Sequence, residues 1–206
     1  LDEPLAFTAG SFVNLFIEHE GKVQRRAFSL SSPEGEASSI DLSIRLNPKG
    51  TISPLFWDDS IIGKKVEVMG PLGLNTADKM LSKNIFLFGY GIGSGVVKSL
   101  ASHFIARPDL SSLTIMTGNR SDTEIVHLDF FTDLEKSGQV KIKHVVSNPT
   151  EANAYPVGYI QNHLSDLDFN HSDVYVCGQE VACQGLIDEV KKQAPVECNF
   201  FIEGFH

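Results

Sequence analysis

The rhythm of the chain changes near residues 75–83, and that change limits the fold more than any other feature. Up to about residue 75 the apolar runs are short: "SFVNLFIE" (11–18), "RRAFSLS" (25–31), "SSIDLSIRL" (38–46) and "KKVEVMG" (64–70). Turn-forming clusters separate them: "EGK", "SPEGEAS", "NPKG" and "GPLG". Short runs with such punctuation predict an antiparallel sheet or barrel, with "TISPLFWDD" (51–59) as one short crossing helix. After "NTADKMLSK" (75–83), strand-like and helix-like segments alternate. Strands are expected at 84–91, 112–118, 140–147, 173–178 and 197–203. Helices are expected at 94–106, 123–138 with Gly138 as its stop, 159–167 and 180–193. Such alternation predicts βαβ units and a doubly wound parallel sheet. The expected organisation is therefore a β-rich domain over 1–77 and an α/β domain over 78–206.

With 206 residues, two such domains can each bury a core. The net charge of −9 argues against nucleic acid as a partner. It leaves anionic small ligands open, because a few arginines and backbone amides set the local field. Cys177, Cys183 and Cys198 show no metal-ligand spacing, and His103, His127 and His163 have no helical partner at i+4, so no metal site is expected. A reducing, cytoplasmic setting is the default for such cysteine usage. No apolar run reaches membrane-spanning length, and the start shows no signal peptide. The chain opens abruptly on the strand-like "LDEPLAF", so further chain is expected before residue 1.

Three stretches carry candidate chemistry. In "RRAFSLSS" (25–32), alternation puts Arg26 and Phe28 on one strand face and Ser29 and Ser31 on the other. By itself this fits either an exposed cation–π pair or a ligand-facing strand. "GYGIGSG" (89–95) places Gly89, Gly91, Gly93 and Gly95 between a buried strand and a helix. Glycines there allow close backbone approach to an anion at a helix start, or simply a tight turn; the spacing is not G-x-G-x-x-G. Cys177 and Gly178 end the fourth expected strand of the second part, where a lone cysteine is more often core than chemistry.

Taken in order, these stretches resemble the ferredoxin–NADP reductase superfamily, in its bacterial oxygenase-reductase and flavohaemoglobin-reductase branch. "AGSFVNL" (9–15) is similar to the family's PGQFV-L turn and strand, "RAFS" (26–29) to its R-x-[YF]-[ST] flavin motif, and "GTISPLFWD" (50–58) to its G-x-x-S helix start. "GPLG" (70–73) matches as it stands, "GYGIGS" (89–94) sits where the family has G-T-G-I-A-P, "CGQ" (177–179) where it has C-G-P, and "FIEGF" (201–205) at its terminal E-x-F. The resemblance implies FAD, rather than FMN, on a barrel that here lacks its first strand or two. Arg26 would meet the flavin pyrophosphate, Phe28 the ring or ribityl chain, and Ser29 flavin N5, with Ala27 between them and the Gly50, Thr51, Ile52, Ser53 turn beside the pyrophosphate. Gly50 would let the backbone bend and Ser53 would cap the following helix.

NADH or NADPH would bind at Gly89, Tyr90, Gly91 and Ile92, with its nicotinamide beside Cys177 and Gly178. Glu203 and Phe205 would lie near the flavin, which makes Ser29, Cys177 and Glu203 the implied catalytic groups. The implied activity is an NAD(P)H-dependent flavoprotein reductase that releases single electrons to an iron–sulfur (ferredoxin-type) or haem partner. No C-x₄-C-x₂-C run lies in the chain, so no plant-type iron–sulfur domain is expected within it.

Tyr90, Ser94 and Gln179 depart from the family's Thr, Pro and Pro, and Phe28 from its commoner Tyr. These departures motivate a second reading, a flavin-binding electron-transfer or sensor subunit without its own NAD(P)H reaction; a third is a non-flavin α/β binding domain with a β-rich appendage. At the adenosine end, "GNRSD" (118–122) offers Arg120 and no second cation through residue 131, which favours NADH.

Overall fold

The structure is a computed structural model that describes residues 1–150 and 154–205. In the N-terminal half, β1 (Leu5–Phe7), β2 (Phe12–His19), β3 (Lys22–Ser29), β4 (Gly35–Ala37) and β5 (Glu67–Leu72) form two antiparallel sheets. One pairs β1 with β4, and the other has the order β3-β2-β5. The hairpin between β2 and β3 turns at Glu20 and Gly21, both with positive φ (51° and 71°), as a two-residue primed turn requires. On one face Val13, Leu15 and Ile17 pack with Leu30, Ile52 and Leu55, the last from the short helix α1 (Ser53–Trp57).

The antiparallel pairing is as expected, but the strands make two separate sheets and not a closed barrel. The expected strand at 38–46 is absent: only Leu42 bridges, to Leu30, and the short strand falls at Gly35–Ala37, within a stretch whose composition predicts a turn. Alternating apolar residues need a neighbouring strand to complete a ladder, and 38–46 has none here. Its side chains instead reach the second half, through Ser43 to His127 (2.8 Å) and Asp41 to Lys98 (3.8 Å).

The second half is a five-stranded, all-parallel sheet. Its elements run β6 (Asn84–Tyr90), α2 (Ser94–Ile105), β7 (Ser112–Asn119), α3 (Leu128–Lys136), β8 (Lys141–Val146), β9 (Ser172–Gln179), α4 (Glu180–Lys192) and β10 (Cys198–Phe205). The sheet order is β10-β9-β6-β7-β8. Alternation along each strand divides its core between two layers. Ile85, Leu87, Ile115, Tyr175 and Cys177 pack under α2 and α3, while Phe86, Phe88, Met116, Val174 and Val176 pack under α4. Each fully buried aromatic or branched side chain contributes on the order of 1.5–3 kcal/mol, so both layers are well anchored.

The helix expected over 123–138 is split. A 3₁₀ turn at Asp122–Glu124 is followed by α3, whose first flanking residue, His127, is left-handed (φ 59°). Its ring is held by Ser43 from the other half, so a tertiary contact overrides the helical period. Gly138 ends the segment with φ 73°, as expected. The stretch 159–167 forms only a 3₁₀ turn at Ile160–His163, and β10 runs two residues further than expected.

The halves pack directly on one another. Ala77 N–H donates to the Ala9 carbonyl (2.9 Å), Ala9 N–H to Glu34 (3.0 Å), and Glu34 meets His103 of α2 at 2.8 Å. Ala9 and Ala77 are buried in the same layer as Cys177 and α2. The β-rich half therefore covers the face of the parallel sheet that carries Cys177.

Candidate functional site

The strand order changes direction at β6: the chain moves outward through β7 and β8, then returns to the other side as β9 and β10. Ligands of such sheets bind in the crevice at the carboxyl ends of the strands where the order reverses. Here those ends are Gly89 and Cys177, which are in register, and Glu203, which is in register with Cys177 one strand further out. The expected glycine turn, Cys177–Gly178 and the terminal segment are thus brought together at one edge.

The four glycines of the turn have different reasons to be glycine. A Cβ on Gly93 would sit 2.3 Å from the Cys177 carbonyl oxygen, one on Gly89 2.9 Å from the backbone of Ser94, and one on Gly95 2.3 Å from Ser43 Oγ. These three are required by packing. Gly91 alone has open space over it, with φ 55°. It begins the 3₁₀ turn Gly91–Gly93 that leads into α2, with Ile92 half-buried beside it. Close approach by a ligand is therefore possible at Gly91 and not along the whole turn.

Tyr90 projects from the end of β6 to the α4 side, continuing the row Phe86, Phe88. Its hydroxyl is buried and has no hydrogen-bond partner among the described residues; burial raises its pKa. Gln179 ends β9 exposed, and Ser94 is fully buried with its hydroxyl unpartnered among the described residues.

On the opposite face, Cys177 is fully buried. Burial, and secondarily the Glu203 carboxylate, pushes its thiol well above the ordinary range. It is a packing surface in this state and not a thiolate nucleophile. Burial also raises Glu203, against an opposing hydrogen bond from Asn75. The Asn75 amide donates to the Ile202 carbonyl (2.7 Å) and at 3.5 Å to Glu203, tying the end of the first half to the last strand. Beneath them, Tyr175 is fully buried, its hydroxyl without a partner among the described residues. Phe205 packs half-buried against the same layer as Cys177. Sequence reasoning misses Asn75 and Tyr175; Asn75 follows "GPLG" in a stretch that reads only as a polar boundary.

The other candidates lie on β3 and the loop after it. β3 is an edge strand, so its outer backbone groups are free for a ligand. Arg26 and Ala27 are exposed, and Phe28 and Ser29 half-exposed. The Arg26 guanidinium donates, among the described residues, only to the neighbouring Arg25 carbonyl (2.8 Å). Among the described residues no cation–π pair joins it to Phe28, whose ring instead meets Phe56 edge-on at 6.3 Å. An exposed guanidinium and a half-exposed ring on an open edge fit a flavin dinucleotide, which needs a cationic partner for its pyrophosphate and a flat apolar surface for its ring.

The 50–53 turn differs in detail from expectation. Gly50 is tightly placed, its N–H bonded to the Asn47 carbonyl (2.8 Å). Ser53 does not cap α1. The capping position is Ile52, and Ser53 Oγ is engaged with the Asn47 backbone, donating to its carbonyl (2.8 Å) and accepting from its N–H (2.9 Å). The Ile52 side chain is core and Thr51 is exposed, so this turn offers Thr51 and backbone. Arg120 stands exposed just beyond the end of β7. Among the described residues no group of His, Cys, Asp and Glu is arranged to hold a metal, and no helix is long and apolar enough to cross a membrane.

Two family models match the chain in sequence: the oxidoreductase FAD-binding domain over residues 1–76 and the oxidoreductase NAD-binding domain over 87–191. The reductase component of phenol 2-monooxygenase from Pseudomonas sp. (strain CF600) is 25% identical over 214 residues, covering 100% of the chain and 60% of that protein. NADH-cytochrome b5 reductase 1 of Dictyostelium discoideum is 23% identical over 206 residues, covering 97% of the chain and 72% of that protein. Among solved structures, an Amycolatopsis cytochrome P450 reductase superposes with a TM-score of 0.81 at 23% identity, over 98% of the chain and 63% of that structure. The FAD/NAD-binding domain of a Vibrio cholerae nitric oxide dioxygenase superposes with a TM-score of 0.83 at 16% identity, over 99% and 89%. The two structures share the fold. The chain spans less than two thirds of the length of the phenol 2-monooxygenase component.

Proposed function

Because this chain belongs to the FAD- and NAD(P)-binding oxidoreductases of the ferredoxin–NADP reductase superfamily, we propose that it is an NAD(P)H-dependent flavoprotein reductase serving an iron–sulfur or haem partner. Residues 1–77 bind FAD along the free edge of β3, and 78–206 bind the nicotinamide dinucleotide at the β6/β9 crevice. FAD, when bound, supplies the exchange between a hydride from NAD(P)H and single electrons passed to an acceptor.

The chain's own groups divide the remaining work. Arg26 holds the flavin pyrophosphate through a charge-assisted, bidentate contact. Phe28 covers the ring system, and Ser29 offers its hydroxyl to N5. Gly91, backed by the start of α2, takes the dinucleotide pyrophosphate, with Gly89, Tyr90 and Ile92 around it and Arg120 at the adenosine end. Cys177 and Gly178 form a small wall beside the nicotinamide, Phe205 shields the same space from water, and Glu203 holds or moves a proton at its carboxylate.

The observation that carries this reading is the register of Gly89, Cys177 and Glu203 at the sheet edge covered by the β-rich half. Purified protein reconstituted with FAD, mixed anaerobically with each nicotinamide, tests it by absorption. The alternative, a flavin-binding subunit with no NAD(P)H reaction of its own, draws on one observation: the position of Tyr90 over the sheet edge. It predicts a flavin that dithionite reduces and neither nicotinamide does.

A further inference from the structure

The Tyr90 ring lies over the carboxyl-terminal edge of the sheet, at the proposed dinucleotide site, and a role for it in binding depends on that proposal. A Cβ built on Gly178 of β9 would be 2.6 Å from Tyr90 Cβ, and one on Gly118 of β7 would be 2.8 Å from Tyr90 Cδ1. The side chain thus fills the space left by missing side chains on both neighbouring strands, with Ile160 closing the Gly118 side. Strand alternation explains its direction, since Phe86, Phe88 and Tyr90 share a face.

We propose that Tyr90 is a gate on the dinucleotide site: its ring occupies the edge between Gly118 and Gly178 and must swing out before a dinucleotide can lie across the ends of β7 and β9.

Three features make the closed position a poised one. The hydroxyl is buried without a partner among the described residues, so closure carries a desolvation cost that opening removes. Gly91 follows the residue with φ 55° and open space over it, so the chain after Tyr90 can rotate there at little steric cost. The ring also overlies Gly178, whose φ of 154° disfavours any side chain of its own there. A dinucleotide binds only the open form, so its apparent affinity is lowered by the fraction of molecules open.

The test is equilibrium binding of ADP-ribose, NAD⁺ and NADP⁺ to the flavin-loaded protein by calorimetry. It compares the wild type with Tyr90→Thr, a β-branched residue suited to the strand, and with Tyr90→Phe. Tyr90→Thr removes the ring and should bind ADP-ribose and its preferred dinucleotide at least fivefold more tightly. Tyr90→Phe keeps the ring, loses the unpartnered hydroxyl, and should close more firmly: a higher melting temperature and binding weakened about threefold. Equal or weaker binding by Tyr90→Thr overturns the gate while leaving the reductase reading intact, because a ring that stacks on the ligand gives that result. If Tyr90→Thr does not fold, tighter or unchanged binding by Tyr90→Phe overturns it. If no form binds any of the three ligands, the nicotinamide reading falls and the gate falls with it.

Discussion

Glu203 sits in register beside Cys177 on adjacent parallel strands, and each group is harder to ionise than in water because both are buried at the same sheet edge. Asn75, from the end of the β-rich half, is the polar partner that reaches this pair. Cys177→Ala and Glu203→Gln should each slow anaerobic flavin reduction by NAD(P)H while leaving flavin content nearly unchanged. Wild-type reduction rates in both variants would reduce this edge to packing.

The same carboxylate makes stability depend on pH. Its folded value is raised above the ordinary 4.5, so the folded chain holds this proton to higher pH than the unfolded chain. Its contribution is most favourable below the unfolded value and declines as the pH climbs through the folded one. Glu203→Gln removes that decline. Melting temperatures of the two proteins should therefore diverge in favour of the variant as the pH rises from 4.5 through the raised folded value, and parallel curves would contradict the burial argument.

Arg26 contributes little to the fold, being exposed and, among the described residues, bonded only to its neighbour's carbonyl. Arg26→Ala should leave the melting temperature of the flavin-free protein within a degree or so. It should weaken FAD binding at least tenfold, the consequence of losing a charged hydrogen bond worth about 1.5–3 kcal/mol. Unchanged affinity in a flavin titration would remove Arg26 from the site.

Gly93 is where the glycine turn and β9 touch most closely. In Gly93→Ala the new methyl would meet the Cys177 carbonyl oxygen at 2.3 Å, backbone that cannot rotate away. Overpacking of this kind costs roughly 1–3 kcal/mol, so the melting temperature should fall by at least about 3 °C. Dinucleotide affinity should fall too, since the turn and Cys177 must separate. A stable variant with normal affinity would show that the turn and β9 part more easily than their close contact implies.

Much of this arrangement was legible from alternation alone. Ile85 and Leu87 against Phe86 and Phe88 announce a strand buried on both faces, and the βαβ order follows from such strands alternating with helices. The resemblance in motif order named the cofactor class that the family matches support. Illegible were features set by contacts distant in sequence. His127 breaks the 123–138 helix because Ser43 holds its ring. Ser53 turns back to Asn47 instead of capping α1. The 38–46 stretch has strand composition but no partner strand. Glycine spacing at 89–95 also could not show that three of the four positions answer to packing and only Gly91 is open.

Nicotinamide choice follows from where the cations lie. Arg120 stands just beyond the end of β7, whereas Lys141 and Lys143 pair with Thr114 and Met116. At about 3.3 Å per residue, those lysines are some 10–17 Å back along the sheet from Asn119. Lys136 ends α3, which returns towards the same far end, and is paired with Asp133 (3.0 Å). One cation is a poor site for a 2′-phosphate, so kcat/KM should favour NADH; a large preference for NADPH would contradict this.

The reductase reading stands or falls on one anaerobic titration of the FAD-loaded chain with NADH, followed by absorption. The expected result is loss of the oxidised-flavin bands, complete at about one NADH per flavin, since each carries two electrons. A flavin that stays oxidised with excess NADH and NADPH, yet bleaches with dithionite, would contradict it and leave the chain a flavin-binding electron carrier.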